Sequence, residues 1–298
     1  EGAVAEFLIT TNGIGLDERL LAELEGKNVA IRLSLDGTRD INDHYRLTKK
    51  KTGTFDLVNG RYGRALKKSG IPHQVRSSFF GEYSDRLQDQ AQTLNEDHGY
   101  DSIKLDFIWG DDTTPGIVTA ETLPNALNGI DHLSQWYFRR VLSGEMRWQN
   151  FNPYSKYMGR LVQPLAAANV YTPAHTGELI AGGSILENSG VECGAGINVV
   201  SISAEGKIYS CHRTEGNEDY LMGDIDTGID PESFAYWSSN WRLTNPQSDC
   251  SRCWARFTCM GGCPAFGVYT HKNPMLNDRV RCSLRRQFIA NTVVLHHV

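Results

Sequence analysis

Residues 249–266 read DCSRCWARFTCMGGCPAF, with cysteines at Cys250, Cys253, Cys259 and Cys263. A C-x2-C pair followed by x5-C and x3-C is the spacing of thiolates gathered around metal, not of scattered buried thiols. The chain has 7 cysteines, all between Cys193 and Cys282, and residues 1–192 contain none. An odd number confined to one third of a chain without a secretion signal argues against a disulfide framework. Zinc takes thiolates in fours, which would leave three over. Iron–sulfur clusters also take four, and their sulfurs accept hydrogen bonds from backbone amides. Glycines beside the ligands, at Gly194, Gly196, Gly261 and Gly262, permit that close backbone approach. Their plainer reading is turn chemistry alone.

Upstream of the cysteines the chain alternates. Residues 5–13 (AEFLITTNG), 29–37 (VAIRLSLDG), 72–80 (PHQVRSSFF) and 102–110 (SIKLDFIWG) read as strands. Between and after them lie helical patterns: residues 16–27 with Asp17 as N-cap, 54–70 weakened by Gly60 and Gly63, 82–99, and 121–144. Strand–helix repetition predicts parallel strands joined by right-handed crossovers. No G-x-G-x-x-G follows any strand, so a nucleotide-binding Rossmann unit is unsupported. A piece of a β/α barrel fits, with functional residues at the C-terminal strand ends. Residues 146–190 read as a mixed, partly helical bridge, 197–211 as a hairpin around AEG, and 279–295 as a closing helix.

The 298 residues carry a net charge of −5 with 40% hydrophobic and 22% charged side chains, ordinary for a globular protein. That balance gives no electrostatic case for nucleic acid or anionic membranes. No apolar run is long enough to span a bilayer and no signal peptide is recognisable, so a cytoplasmic location is expected.

The order Cys193-x12-Gly206-x4-Cys211, Cys250-x2-Cys253-x5-Cys259-x3-Cys263 and Cys282 resembles the seven-cysteine signature of the SPASM domain. That domain is the C-terminal extension of a class of radical S-adenosylmethionine enzymes. The resemblance implies a partial radical SAM β/α barrel from its third strand onward (1–122), a helical bridge (123–190) and a small cysteine-rich α+β SPASM domain (191–298). It implies two auxiliary 4Fe–4S clusters, one on Cys193, Cys211 and Cys263, the other on Cys250, Cys253, Cys259 and Cys282. The three-cysteine cluster would keep its fourth iron open, or give it to a non-cysteine group or to substrate. In ITTNG, IRLSLDG and NDHYR the resemblance places Ser34 and Arg46 on S-adenosylmethionine, Thr10 and Asn12 lining the site, and backbone near Ile108 beside the adenine. Read alone, Ser34 is an ordinary strand residue and Arg46 an ordinary surface charge.

The family cleaves S-adenosylmethionine with a third cluster held by C-x3-C-x2-C, a motif this chain lacks. The start, EGAVAEFLITTNG, has no initiator Met and runs at once into strand-like sequence. Two further β/α units, roughly 60 residues, are expected upstream. The chain as given is then expected to be inactive in the radical step and to expose an aggregation-prone edge at residues 5–12.

By resemblance the complete enzyme would use a 5′-deoxyadenosyl radical to modify a peptide or protein side chain, with an electron donor such as flavodoxin or ferredoxin. Sulfatase-maturing relatives carry an acidic residue directly after the second SPASM cysteine. Here His212 and Arg213 follow Cys211, which looks more like thioether-forming maturases. His212 is a candidate proton carrier; its plainer role is a turn hydrogen bond. Cys/Ser oxidation of the sulfatase-maturing kind, a zinc-binding interaction module and a plain two-cluster electron carrier are the alternatives.

Overall fold

The computed structural model describes residues 5–162, 193–197, 199–239 and 248–297. Strands β1 (Phe7–Thr11), β2 (Val29–Ser34), β3 (His73–Phe79), β4 (Ile103–Phe107) and β5 (Phe151–Asn152) form one sheet in the order β1-β2-β3-β4-β5. Every neighbouring pair is parallel. A strand order that never reverses is wound in one direction, as in a barrel; a doubly wound sheet would reverse at a switch point.

The four expected strands form, each a few residues shorter than read. The connecting segments include α1 (Glu18–Leu24), α2 (Arg39–Tyr45), α3 (Gly63–Lys68), α4 (Leu87–Gln92) and α5 (Leu123–Leu142). Asp17 caps α1, accepting a hydrogen bond from the Leu20 amide. The segment read as one helix over 54–70 is a π-helix over Asp56–Tyr62 running into α3. Gly63 sits where a Cβ would lie 2.3 Å from the Tyr100 hydroxyl, so only glycine allows Tyr100 to close on that wide turn.

The stretch 123–190, read as a helical bridge, contributes to the sheet. Within it α5 packs on the sheet's outer core, and β5 pairs with β4 through Ile103↔Phe151 and Lys104↔Asn152. A two-residue strand has no alternation to read. After α6 (Tyr154–Val162), residues 163–192 lie outside the described residues.

Alternation along each strand divides the side chains. Ile31, Leu33, Val75 and Phe79 face outward and are fully buried against the helices, while Arg32, Ser34, Asp36, Gln74 and Ser78 share the inward face. Among the described residues β1 is the sheet's outer edge, and its Phe7 and Ile9 are exposed.

The expected hairpin forms from β6 (Ser201–Ile202) and β7 (Lys207–Tyr209), turning where Gly206 takes φ +83. Two strands not anticipated, β8 (Leu221–Asp224) and β9 (Gly228–Ile229), extend it to an antiparallel sheet of four. The closing helix, Arg279–His296, does not belong to this unit alone. Its Leu284, Phe288 and Ile289 complete the same core as the parallel sheet and α5. Asp131 on α5 accepts hydrogen bonds from Gln287 (2.6 Å) and Asn291 (2.8 Å) across that contact. The cysteine-bearing region is thereby anchored on the sheet.

Candidate metal centre

The sequence MGGC (260–263) controls where the thiols point. Met260, Gly261 and Gly262 have φ of +57, +78 and +69, three successive left-handed residues that reverse the chain between Cys259 and Cys263. Beyond this reversal Cys263 meets Cys193, whose thiol donates a hydrogen bond to the Cys263 sulfur, with Cys211 beside them. Burial raises the Cys263 pKa, but that hydrogen bond and the guanidiniums of Arg213 and Arg285 outweigh it and bring it down to about 6. As donor, Cys193 is pushed well above the ordinary thiol range, with burial adding to the effect.

Backbone amides of Ala195, Arg213, Thr214 and Ala265 donate to these three sulfurs. Amide donors on sulfur favour the thiolate that a metal requires, and in iron–sulfur sites they help set the potential.

Cys250, Cys253, Cys259, Cys263 and Cys282 all line one cavity of about 480 Å³. Cys259 and Cys250 both lie near enough to Cys282 to raise its pKa, although burial is the larger cause of its rise to about 11. Cys250 is anchored by a hydrogen bond from the Asn277 amide to its sulfur at 3.2 Å.

Arg285 stands beside three of these thiols. Burial opposes its charge, but Cys259, Cys263 and Cys282, with Tyr157, more than compensate and raise its pKa. A Cβ on Gly262 would fall 1.9 Å from Arg285 Nη1. Gly262→Ala should therefore displace that guanidinium and force alanine into a left-handed conformation, destabilising the chain by about 1–2 kcal/mol. Urea unfolding measures the loss; an unchanged midpoint would contradict this placement.

Among the described residues no three His, Cys, Asp or Glu side chains converge tightly enough for a single metal ion. The thiol donors, the amide donors on sulfur and the cavity beside them are chemically compatible with iron–sulfur ligation.

The segment just after β4 reaches the cysteine-bearing loops, where Trp109 meets Phe266 and Arg213. Asp36, two residues after Ser34 and on the same face, is completely buried. It accepts hydrogen bonds from Arg46 Nε (2.6 Å), Arg46 Nη2 (3.2 Å) and the Ser78 amide (2.7 Å). Arg46 is therefore not a surface charge but a guanidinium fixed at the sheet's C-terminal end, on the face that carries Ser34. Thr10 pairs with Arg32 in the strand register and is exposed. Asn12 accepts a hydrogen bond from the Ile14 amide, which shapes the loop leaving β1. Ile108 is half-buried just beyond β4.

His212 is exposed. Burial by surrounding atoms lowers its pKa, as do Arg213, Arg76 and Lys104, while Asp106 opposes them. Its neighbours thus come from the face of β3 and β4 that carries Arg76, Lys104 and Asp106.

Two features escaped the sequence reading. One is Asp36, which the in–out alternation of IRLSLDG could have flagged as sharing the face of Ser34. The other is a stack at the junction. Trp109, just after β4, lies on Phe266 with ring centroids 3.9 Å apart and planes 16° apart. Arg213 covers the other face of Trp109 at 3.5 Å, and Arg281 lies 5.0 Å from the Phe266 centroid. Only the fold brings these four residues together.

No protein-family model matches the chain, and no curated protein matches it either. Solved structures do. Native anSMEcpe with bound AdoMet superposes with a TM-score of 0.72 at 14% identity, covering 97% of this chain and 75% of that one. The form with AdoMet and the Kp18Cys peptide gives 0.72 at 13% identity, covering 98% of this chain and 76% of that one. Streptococcus suis SuiB bound to S-adenosylmethionine gives 0.52 at 15% identity, covering 92% of this chain and 58% of that one. At such identities the likeness shows the fold: an α/β chain whose parallel sheet matches a partial barrel of the radical SAM type.

Proposed function

We propose that this chain belongs to a radical S-adenosylmethionine enzyme of the SPASM class that modifies a peptide side chain. The observation that carries the reading is the reversal at Met260–Gly262, with Cys263 meeting Cys193 and Cys211 while Cys282 lies near Cys250 and Cys259. The neighbours support it, since anSMEcpe holds AdoMet and a peptide and SuiB holds S-adenosylmethionine. When bound, two auxiliary clusters supply one-electron transfer beside the substrate.

The chain's own residues then take these roles. Cys193, Cys211 and Cys263 hold the cluster nearer the sheet, and Cys250, Cys253, Cys259 and Cys282 the other. Arg46, held by Asp36, and Ser34 orient S-adenosylmethionine, with Thr10, Asn12 and the Ile108 backbone lining its site. His212, exposed above Arg76, Lys104 and Asp106, carries a proton to or from the peptide. With His212 and Arg213 where sulfatase-maturing relatives carry an acid, thioether crosslinking is favoured over Cys/Ser oxidation. The chain contains no C-x3-C-x2-C, so cleavage of S-adenosylmethionine is assigned to none of its residues. A flavodoxin or ferredoxin would supply electrons. Among the described residues no helix is long and apolar enough to cross a membrane.

Anaerobic reconstitution of the 298-residue chain tests the reading. It should take up about eight iron and eight acid-labile sulfide per chain and turn brown. Zinc bound without labile sulfide would overturn it in favour of the zinc module.

A further inference from the structure

The inward face of the parallel sheet carries more positive charge than it neutralises. Arg32 is buried on β2, and its Nε donates to Gln74 Oε1 at 3.2 Å, a neutral partner. Arg76 on β3 donates to Asp106 Oδ2 at 2.8 Å, and Lys104 Nζ lies 3.5 Å from the same oxygen. The strand register fixes these neighbours, pairing Arg32 with Gln74, Arg76 with Lys104 and Ser78 with Asp106. Arg213 enters from the hairpin side on the face of Trp109. Arg32, Arg76 and Arg213 all lie near enough to Lys104 to lower its pKa, with burial the larger cause.

Four cations therefore share one carboxylate. Among the described residues no acid pairs with Arg32 or Arg213, and the neighbouring Asp36 is already engaged by Arg46. Cations withdrawn from water without partners are expensive to hold, and natural structures keep them where a ligand completes the pairing. Guanidinium groups suit a carboxylate, which they bind through paired N–H donors. Asp106 at the centre would repel a dianion more than a monoanion.

We propose that Arg32, Arg76, Lys104 and Arg213 form an anion subsite inside the barrel that takes a side-chain or terminal carboxylate of the peptide substrate. Acidic peptides are then the preferred substrates. The proposal rests on the peptide-modifying reading above. It names what the peptide must carry and which residues read it.

The test is fluorescence anisotropy on the anaerobically reconstituted chain. Two fluorescein-labelled hexapeptides, Gly-Glu-Gly-Glu-Gly-Glu-amide and its Gln counterpart, are compared, and AdoMet affinity is measured separately by equilibrium dialysis. The Glu peptide should bind roughly 10- to 100-fold more tightly, as charge-assisted hydrogen bonds would give. Arg32→Gln and Lys104→Gln should each bring that ratio toward one while leaving AdoMet affinity unchanged. Equal binding of the two peptides by the wild type, or an undiminished ratio in both variants, overturns the subsite and leaves the peptide reading standing. AdoMet bound with neither peptide bound overturns both. Variants that weaken AdoMet as much as the Glu peptide assign the subsite to the AdoMet carboxylate and overturn the proposal. Should the variants fail to fold, phenylglyoxal labelling of the wild type decides. The Glu peptide, and not the Gln peptide, should protect Arg32 and Arg213, and unprotected arginines overturn the assignment.

Discussion

Replacing Asp36 with asparagine is expected to destabilise the chain by about 3 kcal/mol, the lower end of the range for breaking a buried ion pair. Its carboxylate is fully buried and receives three donors, two from Arg46 and one from the Ser78 amide. Asparagine keeps the volume but replaces one acceptor oxygen with a donor nitrogen. Whichever way the amide turns, a donor then faces a donor, and the Arg46 charge loses its partner. The lower end applies because 22% of the Arg46 side chain is exposed, so solvent recovers part of the loss. If Arg46 binds AdoMet as proposed, AdoMet affinity should fall with it, because Asp36 would no longer fix the guanidinium. Urea unfolding measures the first effect and equilibrium dialysis the second. A change below about 1 kcal/mol would mean that Asp36 does not organise this end of the sheet.

Trp109→Ala should cost about 3–5 kcal/mol. The substitution removes the ring between Arg213 and Phe266 and opens a hole where the end of β4 meets both cysteine-bearing loops. Stacking on Phe266 contributes about 0.5–1.5 kcal/mol beyond area burial, and the Arg213 contact about 0.5–2. Trp109 Nε1 is buried and has no hydrogen-bond partner among the described residues. Trp109→Phe removes that orphaned donor and keeps an aromatic ring in the stack, so it should stay within about 1 kcal/mol of wild type. If phenylalanine and alanine were equally damaging, the stack would not be what joins the two regions.

How much of this was legible beforehand depends on what each element leaves in a sequence. In β2, β3 and β4 apolar residues such as Ile31, Leu33, Val75 and Ile103 alternate with polar ones, and β1 is a short apolar stretch, so each of the four longer strands was found. β5, β8 and β9 have two to four residues, too few for any periodicity to show. The reversal between Cys259 and Cys263 was legible because its signal is local: MGG lets the chain turn back on itself, as Met260, Gly261 and Gly262 do. The contact of Cys193 with Cys263 spans the whole antiparallel sheet, and only the resemblance pointed to it. Asp36 was half-visible, being the strand-end acid in phase with Ser34. The Arg213–Trp109–Phe266–Arg281 stack was invisible, since its members are spread over 173 positions (from Trp109 to Arg281, counting both) and nothing local marks them. The cationic inward face was written in VAIRLS, HQVRSS and IKLDF, but its excess charge emerges only once the parallel register sets the strands side by side.

The central claim is that the seven thiols serve two separate centres. It is tested most directly by iron and sulfide analysis of reconstituted Cys193→Ala, Cys250→Ala and the double variant. Each single variant should retain about four of about eight irons, with matching sulfide, and the double variant essentially none. Loss of all the iron from either single variant, or full retention in Cys250→Ala, would contradict the division into two sets.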